Sequence, residues 1–156
     1  MYIKGIFNFS ILSLFALVKI NCQVIGNNTY TGKCNDIYNY LEGQGRINNF
    51  YDCKTNNKGE VTELRVLPYC LTNKQLETLL SYKTIETLEF VNPISYNGED
   101  FYEIKYKFDC EYNDVPTNYK LLSNLSNLKY LDLINAMADI NVIANIPKSI
   151  EVLKIG

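Results

Sequence analysis

The chain has 156 residues, enough for roughly one domain. Its 15 Lys and Arg residues against 17 Asp and Glu residues leave a net charge of −2. That balance gives no electrostatic case for binding nucleic acid or an anionic membrane. The absence of histidine removes the usual general base, the Ser-His and Cys-His nucleophile systems and the commonest zinc ligand. We therefore expect a protein that is not an enzyme, with no cofactor and no metal.

Residues 1–22 have the features of a secretory signal peptide. Lys4 charges the short N-terminal region, and an eight-residue apolar run follows at 11–18. Polar residues bracket this run, which is well short of the ~20 residues that span a bilayer. We predict cleavage before Gln23 and a secreted or extracellular chain, with the cell surface or wall included. No later stretch of the sequence is expected to be a membrane span.

Secretion sets the expectation for the cysteines. If Cys22 leaves with the signal, an even number remains in an oxidising compartment: Cys34, Cys53, Cys70 and Cys110. Three pairings are open. We favour Cys34–Cys53, because no repeat separates these two, and this choice leaves Cys70–Cys110. A zinc site is disfavoured, since the chain has neither C-x-x-C spacing nor histidine.

Residues 23–60 are predicted to form an N-terminal cap. Residues 36–41 place three apolar side chains on one helical face, with Asn35 or Asp36 available as the N-cap. A cap of this kind would cover the apolar edge and the unpaired strand groups of whatever follows it.

Glycines mark the expected helix end and turn in the rest of this cap. Gly43 and Gly45 are expected to end the helix, and a short strand is predicted at 50–53. The run 56–59 reads as a turn in which Gly59 supplies a positive φ.

Residues 61–156 carry a recurring apolar code. Leu128, Leu131 and Leu133 have the spacing L-x-x-L-x-L, and the same spacing recurs 22 residues later. Four copies are visible in all, and they begin at Val61, Ile85, Leu128 and Ile150. A short code with a period in the twenties is the signature of a leucine-rich-repeat solenoid. The predicted fold class is thus α/β, with a parallel β-sheet on the concave face and a cysteine-containing N-terminal cap.

The repeat is interrupted in the middle of the chain. The third copy begins 43 residues after the second, so residues 91–124 hold an irregular insertion. Alternation of apolar and polar residues at 102–108 predicts a strand there. We interpret the insertion as a degenerate repeat or as a β-hairpin held by Cys110. It could bind a ligand, or it could have no partner. We therefore expect about four to five repeats. The sequence ends just after a repeat strand, which suggests that it is truncated at the C-terminus.

These residues resemble a known family. Cys53, Gly59 and the Val-Thr-Glu-Leu entry at 61–64 resemble the cap-to-repeat junction of extracellular leucine-rich-repeat proteins of the plant and fungal kind. The repeat codes at 126–133 and 148–155 extend the likeness. The resemblance covers 34–90 and 121–156, and implies the N-terminal part of such a protein.

Two features depart from the family pattern. Such repeats usually carry Asn three residues after the last strand leucine, where this chain has Tyr69, Pro93 and Ala136. The tryptophan common in plant-type caps is also missing.

Alternation along the strands predicts which side chains are open to a ligand. The two apolar residues that close each copy, Leu153 and Ile155 included, should face the core. The intervening residues should face the concave surface. The candidate ligand-binding residues are Glu63, Arg65, Thr87, Glu89, Tyr130, Asp132, Val152 and Lys154. Leu67, Val91 and Ile134 continue the same face. Tyr and Arg are enriched at binding hot spots, although a solvated face without a partner is the alternative for each residue.

Glycosylation sequons and acidic groups complete the candidates. Asn27 and Asn124 head sequons suited to a secreted chain, whereas the sequon at Asn8 lies in the signal. The dense acidic residues at 99–114 lie in turn-rich sequence, so we interpret them as solvated surface and not as a glycosidase pair.

Three functional hypotheses follow. The first is a secreted or cell-surface recognition module that binds a protein, peptide or glycan ligand on the concave repeat surface. The second is a structural or adhesive cell-wall spacer. The third is an ectodomain fragment of a leucine-rich-repeat receptor.

The cysteine and signal assignments are tested together by mass spectrometry of the unreduced secreted chain. We expect an N-terminus at Gln23 and no alkylatable thiol, because all four remaining cysteines would be paired. Finding four alkylatable thiols would refute the assignment.

Overall fold

The computed structural model describes residues 30–91, 117–134 and 140–155. It contains two α-helices, α1 (Lys33–Gly43) and α2 (Asn73–Leu79), and three 3₁₀ helices, η1 (Ile47–Asn49), η2 (Lys120–Asn124) and η3 (Ile140–Asn145). The strands are β1 (Phe50–Thr55), β2 (Val61–Val66), β3 (Thr87–Phe90), β4 (Tyr130–Asp132) and β5 (Val152–Lys154). No helix in these ranges is long and apolar enough to cross a membrane.

The five strands form one sheet in the order β1-β2-β3-β4-β5. β1 is antiparallel to β2, and every later pairing is parallel, so the predicted parallel sheet is confirmed. One register level joins Leu64, Leu88, Leu131 and Leu153. Each of these is the second apolar residue of its copy, so the four copies pair in phase.

The same backbone turn leads into each of the last three strands. An N–H bonds to the carbonyl three residues earlier, and the pairs are Ile85 to Tyr82, Leu128 to Leu125 and Ile150 to Pro147. The next N–H then donates at 2.8 Å to a carbonyl in or just before the previous strand, from Glu86 to Thr62, Lys129 to Glu86 and Glu151 to Lys129. The recurring code therefore produces recurring local geometry.

The core lies between the sheet and the helical segments that return the chain. Leu64, Leu88 and Leu131 are completely buried on the inner side of the sheet. Leu76 and Leu79 of α2, Leu122 of η2 and Val142 of η3 join the same apolar cluster. Burying each leucine stabilises the fold by about 1.5–3 kcal/mol relative to exposure.

The last strand differs from the prediction. Leu153 and Ile155 were expected to face the core, but they are 40% and 47% exposed. β5 is the edge strand of the sheet, and within the described ranges no further strand lies beyond it. An inward orientation by itself does not bury a side chain at a sheet edge.

The N-terminal part is held by the predicted disulfide. Cys34 in α1 is bonded to Cys53 in β1, with 5.6 Å between the Cα atoms. A bridge that closes a loop of this size contributes roughly 3 kcal/mol to stability. The predicted turn with Gly59 at positive φ is also confirmed, with φ at 75°.

The start of α1 corrects one prediction. The helix begins at Lys33 with Gly32 as its N-cap, so Asn35 and Asp36 lie inside the first turn and do not cap it. The Lys33 N–H donates to the Gly59 carbonyl at 2.9 Å. The β1–β2 turn thus supplies the acceptor that a capping side chain would otherwise provide. At the other end, Gly43 is the last helical residue, as expected.

α2 begins with a side-chain cap. Thr72 is its N-cap, and its side chain accepts from the Gln75 N–H while the Gln75 side chain accepts from the Thr72 N–H. This reciprocal capping box satisfies two backbone donors at the helix start.

Asn49 is an anchor that the sequence pattern did not indicate. Its buried side chain donates to the carbonyls of Leu67 at 2.8 Å and Tyr69 at 2.6 Å. The Leu67 N–H donates back to the Asn49 carbonyl at 2.8 Å. These bonds tie η1 to the segment that leaves β2.

Several predictions concern residues outside the described ranges. Cys70 is disulfide-bonded, and its partner lies outside them, so Cys70–Cys110 stays a prediction. The proposed signal at 1–22 and the glycosylation site Asn27 also lie outside. Most of the insertion at 91–124 likewise lies outside the described ranges.

A pair of glycine substitutions tests the junction between α1 and the β1–β2 turn. A Cβ on Gly32 would lie 2.6 Å from the Gly59 carbonyl oxygen, at a φ of 56°. Gly32→Ala should therefore lower the free energy of unfolding by about 1–3 kcal/mol. Gly43→Ala is the matched control, since a Cβ there meets nothing within 4 Å; it should be neutral or slightly stabilising. Urea unfolding of both variants gives the comparison, and equal stabilities would contradict the close contact.

Candidate functional site

The outer side of the sheet gathers the predicted ligand-binding residues. We call it the sheet face and define it by two register levels. The first level contains Lys54, Glu63, Thr87, Tyr130 and Val152, and the second contains Asp52, Arg65, Glu89, Asp132 and Lys154. All eight predicted residues are thereby brought together on one surface.

Asp52 and Lys54 also belong to this surface, although the repeat pattern does not predict them. They lie on β1, opposite Arg65 and Glu63 of the antiparallel partner strand. Directly opposed residues project to the same side of a sheet. Alternation along β1 is the signal that points to them, but the sequence predicts this strand as part of the cap and not of the repeat sheet.

The strongest contact on the sheet face joins Arg65 to Glu89. The Arg65 Nε donates to Glu89 Oε2 at 2.8 Å, and a terminal guanidinium nitrogen donates to Oε1 at 2.9 Å. Both side chains are about three-quarters buried. A two-point guanidinium–carboxylate contact of this kind fixes both side chains in place.

A more exposed pair lies at the cap end. The Lys54 Nζ donates to Glu63 Oε2 at 2.8 Å. This hydrogen bond and the charge of Glu63 raise the pKa of Lys54. Lys54 is the more exposed partner, so the pair is screened by water and adds little stability.

Three residues form a cluster at the other end. The Tyr130 hydroxyl donates to Asp132 Oδ2 at 3.4 Å, and the Lys154 Nζ lies 3.6 Å from the same oxygen. The Lys154 Nζ also lies 5.2 Å from the centroid of the Tyr130 ring. The hydrogen bond with Tyr130, with a smaller effect of the Asp132 charge, raises the pKa of Lys154.

Exposure varies across the predicted residues. Thr87 and Tyr130 are half-buried, and Val152 is exposed. Leu67 and Val91, which were expected to extend the face, are instead buried in a separate apolar cluster with Tyr69 and Cys70. The strands end before these two residues, so the alternation that exposes the face no longer applies to them.

Charged side chains make up most of the sheet face. Among the described residues no group of three His, Cys, Asp or Glu side chains could hold a metal ion. The face combines four carboxylates, Asp52, Glu63, Glu89 and Asp132, with three cations, Lys54, Arg65 and Lys154. Such a surface can bind by hydrogen bonds, ion pairs and aromatic contact.

The remaining predicted modification site lies away from the sheet face. Asn124 is the last residue of η2 and is exposed, as is Ser126 of its sequon. Glycosylation at Asn124 stays a prediction.

Comparison with known proteins adds no relative. The chain matches no protein-family model, no curated protein and no solved structure. The function is therefore argued from the geometry described above.

A double-mutant cycle measures the Arg65–Glu89 contact. Arg65→Met and Glu89→Gln, alone and together, should give a coupling energy of up to about 1 kcal/mol, because the contact is two-pointed and partly buried. The control cycle uses Lys129 and Glu86, whose single contact is about half exposed, and its coupling should be smaller. Urea unfolding supplies the free energies. Equal coupling in the two cycles would contradict the described geometry.

Proposed function

We propose that the chain is a non-enzymatic, extracellular leucine-rich-repeat recognition module. It binds a protein, peptide or glycan ligand on the sheet face. The observation that carries the proposal is the in-phase pairing of β2, β3, β4 and β5, which puts two register levels of mostly polar side chains on the side of the sheet away from the core.

The repeat assignment is supported by local geometry as well as by register. Strand order follows chain order, and helical segments return the chain between parallel strands: α2 between β2 and β3, and η3 between β4 and β5. The same turn precedes β3, β4 and β5. Strands stacked in sequence order with recurring turns are the features expected of a solenoid.

The extracellular assignment is supported by the Cys34–Cys53 disulfide. Disulfides persist mainly in oxidising compartments and are rare in the cytosol. The apolar run at 11–18 with its upstream Lys4 points the same way.

Recognition is supported by the kinds of side chain on the sheet face. Tyr130 offers a half-buried ring whose polar end can bond a ligand. Arg65 is held rigid by Glu89 and so would lose little side-chain entropy on binding. Solenoids use the corresponding concave sheet as an extended binding surface.

A structural spacer is the second candidate, and one observation favours it. Three ion pairs satisfy charges within the sheet face itself: Lys54–Glu63, Arg65–Glu89 and Lys154–Asp132. A spacer needs a solvated surface of this kind and no partner.

Binding to a combined glycan and peptide array separates the two candidates. The recognition function predicts a selective binder at micromolar concentration, with binding lost in the double variant Tyr130→Ala, Arg65→Ala. Lys129→Ala is the control, because Lys129 lies outside the sheet face, and it should retain binding. Absence of any selective binder, or full binding by the double variant, would favour the spacer.

A further inference from the structure

We propose that Tyr130 and Asp132 form a subsite for a cationic side chain, and that Lys154 fills this subsite when no ligand is present. The ligand would be an extended peptide segment carrying Lys or Arg. This inference rests on the recognition function proposed above and names the class of ligand.

Asp132 is the centre of the subsite because its carboxylate is buried. It is only 8% exposed, and its Oδ1 accepts from the Ile134 N–H at 3.1 Å. The contacts to Oδ2 are longer, at 3.4 Å from the Tyr130 hydroxyl and 3.6 Å from the Lys154 Nζ. Burying a carboxylate is costly unless a partner compensates its charge, so this position calls for a cation.

Lys154 supplies that cation from a position that is easily vacated. Its side chain is about half exposed and belongs to the edge strand β5. A ligand cation that takes the place of this half-exposed ammonium would compensate the Asp132 charge in its stead, so the exchange itself costs little free energy. Its contacts with the Tyr130 ring and the Asp132 carboxylate are those that a ligand ammonium or guanidinium group would make.

The neighbouring charges favour a cation over an anion. Glu89 and Asp132 are direct register partners on β3 and β4, flanked by Arg65 and Lys154. Arg65 is committed to Glu89 by two hydrogen bonds. When Lys154 swings away, the sheet face has four carboxylates and two cations, and like charges on adjacent strands repel unless a cation lies between them.

Apolar side chains border the subsite. Val152 is 45% exposed and Ile134 is 48% exposed, both next to the Tyr130–Asp132 cluster in register or in sequence. They offer apolar surface to the methylene stem of a lysine or arginine, while the charged end reaches the carboxylate.

Fluorescence anisotropy with defined peptides tests the proposal on the full chain. The probe is a labelled Ser-Gly peptide with lysine at four alternate positions, compared with the same peptide carrying four serines or four glutamates. We expect binding in the order lysine, serine, glutamate, with the lysine peptide weakened by added salt. Equal binding of the three peptides would overturn the proposal.

Substitutions then assign the binding to this subsite. Lys154→Met removes the competing ammonium and should tighten lysine-peptide binding roughly two- to fivefold. Asp132→Asn should weaken it at least about tenfold, because a charge-assisted contact is lost. Tyr130→Phe keeps the ring and should retain most of the binding, whereas Tyr130→Ala should not. Lys129→Met is the matched control, an exposed lysine paired with Glu86, and should leave affinity unchanged.

Lys154→Arg guards against a folding artefact in the methionine variant. An arginine can hold Asp132 at two points, so it should compete more strongly and weaken peptide binding. Unchanged or weaker binding by Lys154→Met, with circular dichroism showing the native fold, would overturn the proposal. So would full binding by Asp132→Asn. A neutral glycan that binds through Tyr130 while the lysine peptide does not would refute this subsite and leave the recognition function standing.

Discussion

The shared register of the parallel strands is the constraint on which the rest of the structure depends. Leu88 pairs with Leu64 on one side and Leu131 on the other. Successive side chains on a strand point to opposite faces, so a slip of one residue would put these leucines in water and carry Glu89 and Asp132 into the core. The same register therefore builds the apolar interior and the charged sheet face.

The two ends of the sheet differ in the contacts that hold them. At the β1 end the antiparallel hairpin, the Cys34–Cys53 bridge and the buried Asn49 amide tie α1, η1 and β2 together. At the β5 end Leu153 remains partly exposed, and the Lys154 side chain is about half exposed. The exchangeable cation of the proposed subsite thus lies at the more exposed end of the sheet.

Much of the fold could be predicted because the signals are local. The period of the leucine code located all four parallel strands, and the Thr72 capping box and the Gly59 turn depend only on nearby residues. Features that depend on distant contacts could not be predicted. The N-cap at Gly32 relies on the carbonyl of Gly59, and Asn49 bonds carbonyls 18 and 20 residues away.

In the candidate site, too, the local pattern could be predicted and the contacts between distant residues could not. Alternation selected its eight residues, but it could not show which of them bond one another. The Arg65–Glu89 pair joins residues 24 apart, and the burial of Leu67 and Val91 depends on a second apolar cluster. Asp52 and Lys54 lie on the sheet face because β1 pairs with β2 in a bulged antiparallel register, and no repeat period predicts that register.

Backbone NOE spectroscopy tests the central register most directly. The described pairing predicts cross-strand contacts that link the backbones at Leu64, Leu88, Leu131 and Leu153 in that order, together with slow amide exchange at Leu133, whose N–H donates to the Lys154 carbonyl at 2.8 Å. Contacts displaced by one residue, or β3 and β4 without mutual NOEs, would contradict both the core and the sheet face.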